Sequence, residues 1–275
     1  MKRTYILVLL ALGLTLGLFA NTLVIKGSNT IFPVAQLWIE RMQQIQPDVN
    51  ITLEGAGSST GIAALFNGTT DIANSSRWLK GSELEKMAAE GKYFIPFVLG
   101  YDGIALIVNP QLGLEQISLE TLQGIYSGKL KTWRQVDPNL PNQQIVSYSR
   151  NTASGTYETF EKIVLNGVRM DPRVRMVEST QYVVDTVAQN PYAIGYVGVG
   201  YVSDQVQVLQ VEGQLPTKNN ILNMVYPISR PLFLFVDATE GFPETGTIKQ
   251  FLTLAFSLEG QQMVEKAGYI AAYGQ

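Results

Sequence analysis

The chain has 275 residues, 46% of them hydrophobic and 16% charged, with a formal net charge of −3, no histidine and no cysteine. That length holds two modest domains or one large one, and so much apolar side chain excludes an intrinsically disordered protein. The two missing residue types exclude disulfides and any Ser-His-Asp triad.

The first 20 residues read as a targeting segment. Lys2 and Arg3 make a basic start, Ile6 to Ala20 is apolar and uncharged, and Ala20 is a small residue before a cleavage point. The pattern predicts a secretory signal peptide over 1–20. An uncleaved anchor is the alternative, but the apolar run is short for a span. No cysteine follows it, so no lipid anchor is expected. Removing 1–20 takes Lys2 and Arg3 from the 20 basic residues, leaving 18 against 23 acidic ones, a net charge of −5. An acidic chain is a poor match for nucleic acid.

Leu23-Val24-Ile25 reads as a first strand ending at the Gly27 turn. Phe32 to Ile45 has helical spacing, with Val34, Leu37, Trp38, Met42 and Ile45 on one face and Pro33 in the first turn. Val49 to Leu53 alternates as a second strand and leads into a Gly-Ser-Ser-Thr turn and a short helix from about Gly61 to Phe66. Asp71-Ile72-Ala73 opens a third strand into Asn74-Ser75-Ser76-Arg77, and Ser82 to Glu90 reads as an exposed helix. Turns that follow strands in this order lie where open α/β sheets hold ligands. Phe94 to Val108 is a long apolar run able to cross from one lobe to another, and 110–224 behaves as a second unit. Within it, Ile145 to Arg150 reads as a strand delivering Arg150 to its end, followed by a helix from Gly155 to about Leu165. Tyr226 to Val236 is the natural return crossing, and a last helix from about Thr247 to Lys266 packs back on the first lobe. The expected division is 21–100 with 235–275 as lobe I and 101–234 as lobe II.

Three stretches place glycine beside Ser and Thr at the expected helix starts: Gly27-Ser28-Asn29-Thr30, Gly57-Ser58-Ser59-Thr60-Gly61 and Ser154-Gly155-Thr156. A helix start leaves backbone N–H groups unpaired at the positive end of the dipole, and glycine lets an anion approach them. One such stretch is an ordinary cap. Three, with Arg150 four residues before Ser154, describe a cage for a small oxyanion such as phosphate. Gly57 to Gly61 also matches the G-x-S-x-G nucleophile elbow, but without histidine it lacks the base that chemistry needs. Arg77 has two open readings, a ligand donor or a structural salt bridge. Trp38, Trp78 and Trp133 read as packing residues. The acidic residues have no metal-site spacing, and Ser127-Gly128-Lys129 lacks the spacing of a P-loop.

With those residues in view, the chain resembles the periplasmic phosphate-binding proteins of bacterial phosphate ABC transporters. The resemblance runs through the three stretches above, Asp71 to Arg77, Ile125 to Leu130, Arg150 to Phe160, Ile194 to Gly198, Tyr226-Pro227-Ile228-Ser229-Arg230-Pro231-Leu232 and Ser257 to Gln261. It implies an α/β, two-lobed periplasmic binding protein type II fold, each lobe a mixed sheet flanked by helices, with two hinge crossings. It implies a monomer that binds inorganic phosphate outside the cytoplasm and delivers it to a membrane permease, without a cofactor, a metal or catalysis. Carried over by position, the ligand residues are Ser28, Thr30, Ser58, Ser76, Arg150, Ser154, Gly155 and Thr156. Well-known members place an aspartate, which accepts the proton of monohydrogen phosphate, where this chain has Ser76. The alternatives are a receptor for another tetrahedral oxyanion (sulfate, molybdate, tungstate) and a secreted phosphatase or esterase.

Overall fold

The structure, a computed structural model, describes residues 22–273, so the signal peptide expected over 1–20 lies outside the described residues. β1 (Leu23–Gly27) alternates buried and half-buried side chains, the period-2 pattern of a strand with unlike faces. It pairs in parallel with β2 (Ile51–Gly55) on one side and β3 (Ile72–Ser75) on the other. α1 (Phe32–Ile45) and α2 (Ser58–Phe66) supply the crossovers that parallel pairing requires. α2 begins at Ser58, three residues before the expected start, so the Ser-Ser-Thr stretch is its first turn and not a preceding loop. α1 has the expected bounds, but its buried face is Val34, Ala35, Trp38, Ile39 and Met42. Leu37 is half-buried and Ile45 is 54% exposed, a correction to the expected face. The cause is tertiary: two C-terminal helices cover α1, and the Trp38 indole N–H donates to the Gly260 carbonyl at 2.9 Å. α3 (Gly81–Ala89) buries no side chain, in keeping with its charged sequence.

β4 (Phe94–Val108) is a single 15-residue strand. After it come β5 (Gln116–Ile117), α4 (Leu119–Tyr126), α5 (Trp133–Val136), β6 (Val146–Arg150), α6 (Gly155–Phe160), β7 (Arg175–Val177), α7 (Thr180–Gln189), β8 (Ala193–Gly198), β9 (Gln207–Val208), β10 (Gln210–Val211) and α8 (Lys218–Leu222). β11 (Ser229–Asp237) returns, and α9 (Gly246–Ala255), α10 (Leu258–Lys266) and β12 (Ile270–Ala271) follow. The helix expected from Gly155 to about Leu165 is α-helical only to Phe160, and a π turn over Glu161–Leu165 completes it. The single last helix expected over Thr247–Lys266 is two helices. Ser257 breaks it by capping α10, its Oγ accepting from the Gly260 N–H at 3.1 Å.

The strand order is β2-β1-β3-β11-β4-β8-β6-β7, with β9 and β12 also on β4 and a separate β5–β10 pair. β4 belongs to both halves. From Phe94 to Gly103 it runs antiparallel to β11, and from Ile104 to Val108 antiparallel to β8. β6 pairs in parallel with β7 and β8, so each half is a mixed sheet flanked by helices. The β4–β11 register slips between Leu232 and Phe233, just past Pro231, which has no N–H for the ladder. Each half has its own core: Ile25, Trp38, Leu99, Leu234 and Phe251 in one, and Leu106, Tyr126, Trp133, Phe160 and Tyr196 in the other. The Phe160 and Tyr196 rings stack at 3.9 Å. Trp78 is the partly exposed member of the three tryptophans and leans edge-on against Phe233 and Phe235.

Candidate anion-binding site

The helix starts picked out in the sequence meet between the two halves. The turn after β1 is held by the Ser28 N–H donating to the Asn74 carbonyl at 2.9 Å. Gly27 has φ +136°, and a Cβ there would sit 2.1 Å from the Asn74 oxygen, so only glycine lets the ends of β1 and β3 come this close. Ser58 opens α2, and its Oγ accepts from the Ser76 N–H at 3.0 Å. The Ser76 Oγ in turn accepts from the Ser28 Oγ at 3.0 Å and lies 3.3 Å from the Ser58 Oγ. Three hydroxyls of the first half thus converge.

The second half meets them with the start of α6. Ser154 caps it, accepting from the Thr156 N–H at 3.2 Å and the Tyr157 N–H at 3.4 Å. Thr156 Oγ1 lies 3.0 Å from Thr30 Oγ1 across the gap. Gly155 faces Ser58 and Ser76 so closely that a Cβ would sit 2.4 and 2.7 Å from their hydroxyl oxygens. All eight residues predicted for the site are buried.

Arg150 stands at the end of β6, where the sequence places it, and is 1% exposed. Its hydrogen bonds run to the loop joining β7 to α7: to Thr180 Oγ1, to the Glu178 carbonyl, and from Nε to the Val177 carbonyl at 3.4 Å. Arg150 therefore also has a structural task that the sequence did not reveal. Burial pulls its guanidinium down to about 10, and the nearby charge of Arg230 acts in the same direction. It is still a cation at neutral pH.

Arg77 takes the salt-bridge reading. Its two terminal nitrogens grip Glu83, each at 2.8 Å, and its Nε lies 2.5 Å from Glu158. Glu158 belongs to α6, and it also accepts from the Ser59 hydroxyl at 2.6 Å and pairs with Lys80 at 3.0 Å. The central serine of the G-x-S-x-G match is thus tied to an ion-pair cluster that joins the halves. One tyrosine adds to the closure, the Tyr201 hydroxyl donating to the Asn29 carbonyl at 2.6 Å, while within the first half the Tyr269 hydroxyl donates to the Thr30 carbonyl at 2.7 Å.

The sequence reading passed over a second buried cation. Arg230 and Asp102 are cross-strand partners on β11 and β4. Arg230 donates through Nε and Nη2 to Asp102 Oδ2 at 2.9 and 2.7 Å, while Asp102 Oδ1 accepts from the Val199 N–H at 2.9 Å. Arg230 Nη2 also donates to Thr156 Oγ1 at 3.0 Å and to Thr30 Oγ1 at 3.4 Å, so this guanidinium touches predicted site residues of both halves. Burial pushes the Asp102 carboxyl up, against the pull of Arg230. A signal was present: Asp102 is the one charge in Phe94–Val108 and Arg230 the one charge in Tyr226–Val236. A lone charge in a buried strand needs a partner, and each of these supplies the other's.

A two-lobed α/β fold with hydroxyls, helix starts and the Arg230 guanidinium gathered between its lobes defines the class of solute-binding receptors for small anions. The chain belongs to the PBP superfamily, whose domain matches residues 19–259, and within it to the family of the phosphate-binding protein PstS. That protein from Staphylococcus aureus strain USA300 is 30% identical over 255 residues, covering 90% of this chain and 77% of its own length. A Clostridium perfringens protein solved with bound phosphate, and described as a phosphate ABC transporter substrate-binding protein, superposes with a TM-score of 0.82. It is 32% identical, over 92% of this chain and 100% of its own. An ABC-type phosphate transport receptor from Vibrio cholerae superposes with a TM-score of 0.72 at 28% identity, over 90% of this chain and 99% of its own.

Proposed function

We propose that this protein is a phosphate receptor: it binds inorganic phosphate outside the cytoplasm with high affinity and delivers it to the membrane permease of a phosphate ABC transporter. The observation that carries the reading is the meeting of Ser28, Thr30, Ser58 and Ser76 from one half with Ser154, Gly155 and Thr156 from the other. Hydroxyls and helix starts donate to oxyanion oxygens, and the buried guanidiniums of Arg150 and Arg230 supply charge in a dry setting. The lobes correspond to residues 21–100 with 232–275 and to 101–231, three residues earlier than the expected second boundary, with β4 and β11 as hinge strands; Leu232 and Leu234, packed in the first core, support that shift. Residues 1–20 act as a signal peptide, and the exported protein has a mass lower by about those residues. The receptor works as a monomer and carries out no chemistry on its ligand.

Phosphate raises the melting temperature of such a receptor by mass action, while a generic phosphate ester stays unhydrolysed. No thermal shift with phosphate, or turnover of the ester, would overturn the reading. Ser76, a hydroxyl in place of a carboxylate, favours a second reading, a receptor for sulfate, molybdate or tungstate. A larger thermal shift with one of those anions than with phosphate would select it.

A further inference from the structure

We propose that Arg230 is a second cationic ligand of the bound anion, with Asp102 as its positioning counter-ion. The inference rests on the phosphate-receptor reading and names a residue of that site. Arg230 is 4% exposed, and its Nη1 is buried without a hydrogen-bond partner among the described residues. Leaving a guanidinium donor unpaired in the interior is costly, so a buried N–H of this kind points to a partner.

The geometry says where that partner sits. Asp102 holds the edge of the guanidinium formed by Nε and Nη2, at 2.9 and 2.7 Å. A planar guanidinium has a second edge, formed by Nη1 and Nη2. Nη2 on that edge reaches the hydroxyls of Thr30 and Thr156, one from each lobe. The Nη1–Nη2 edge therefore faces the hydroxyl cluster and presents the fork that matches two oxygens of a tetrahedral oxyanion. The backbone fixes this placement, because Arg230 and Asp102 are register partners on the two strands that pass between the lobes.

The charge count agrees. Arg150 and Arg230 are both buried and close enough for Arg230 to pull the Arg150 pKa down, while Asp102 is the carboxylate hydrogen-bonded to Arg230. Two guanidiniums against one carboxylate leave an excess of one positive charge among these three groups, which a phosphate anion neutralises.

Calorimetric titration with inorganic phosphate tests this on the exported chain, the Arg230→Gln variant and the double variant Asp102→Asn/Arg230→Gln. The double variant removes both charges, so neither is left buried alone. The inference expects the single and the double variant each to lose on the order of 100-fold in phosphate affinity. A double variant that binds as tightly as the unmodified protein would show that the pair only holds the strands together, and would overturn the proposal. Absence of phosphate binding by the unmodified protein would instead overturn the receptor reading and this inference with it. Should the variants fail to fold, a crystal structure of the unmodified protein with phosphate decides. Nη1 within hydrogen-bond distance of a phosphate oxygen is the expected result, and Nη1 bound only to protein or water is the overturning one.

Discussion

Replacing Gly155 by alanine puts one methyl group between the lobes. Gly155 lies in the first turn of α6 without a positive φ, so alanine suits its backbone and the isolated lobe accepts it. The new Cβ would lie 2.4 Å from Ser58 Oγ, 2.7 Å from Ser76 Oγ and 3.1 Å from Ser58 Cβ. Turning the two hydroxyls aside would relieve the first two contacts but would take both donors out of the cage; the third contact remains. Forcing a methyl into a packed contact costs about 1–3 kcal/mol. Charged to the closed form alone, that weakens phosphate binding about 5- to 150-fold. Calorimetry gives the affinity, and the melting temperature without phosphate checks the fold. Phosphate affinity unchanged in Gly155→Ala would refute the claim that the lobes close on the ligand at this contact.

Arg150→Ala is expected to cost on the order of 2–5 kcal/mol of phosphate binding, read by calorimetry. It also lowers the melting temperature without phosphate, because the Glu178 carbonyl and the Thr180 hydroxyl lose their donor. Glu158→Gln weakens the ion-pair cluster that spans the lobes, leaving Arg77 with Glu83 alone. The loss of charge from both cross-lobe ion pairs, Glu158 with Arg77 and with Lys80, costs about 1–3 kcal/mol and shifts the protein toward an open form that small-angle scattering detects as a larger radius of gyration without phosphate. Ser76→Asp keeps phosphate binding and sharpens rejection of sulfate in competition titrations, since a carboxylate accepts the proton that phosphate carries and repels an anion that has none.

The local signals in the sequence picked out the stretches that meet between the lobes. Glycine next to Ser or Thr after a strand marks a helix start whatever the rest of the fold does, and those three stretches are the ones brought together. Arg150 was legible as a cation at a strand end, but its bonds to Val177, Glu178 and Thr180 depend on where β7 lies, which no local pattern encodes. The α1 face was misjudged at Leu37 and Ile45 because the helices that cover α1 lie more than 200 residues later in the chain. The break at Ser257 was hidden because an apolar helical pattern continues across it, and only the hydrogen bond to Gly260 shows the new start. Arg230 escaped for the same kind of reason. Apolar periodicity reads a strand by its majority, while the informative residue was the single charge and its register partner on another strand.

The central claim is that the shell of hydroxyls and guanidiniums takes phosphate in preference to other tetrahedral anions. Calorimetric titration of the protein with phosphate, sulfate and molybdate, each alone and in competition, tests it most directly. The account predicts one phosphate per chain, with sulfate and molybdate bound more weakly, since the buried Ser76 hydroxyl can turn to accept the proton that phosphate carries, and the same acceptor facing an unprotonated oxygen costs roughly 1–3 kcal/mol. Equal competition by sulfate and phosphate would contradict it and make the protein a general oxyanion receptor.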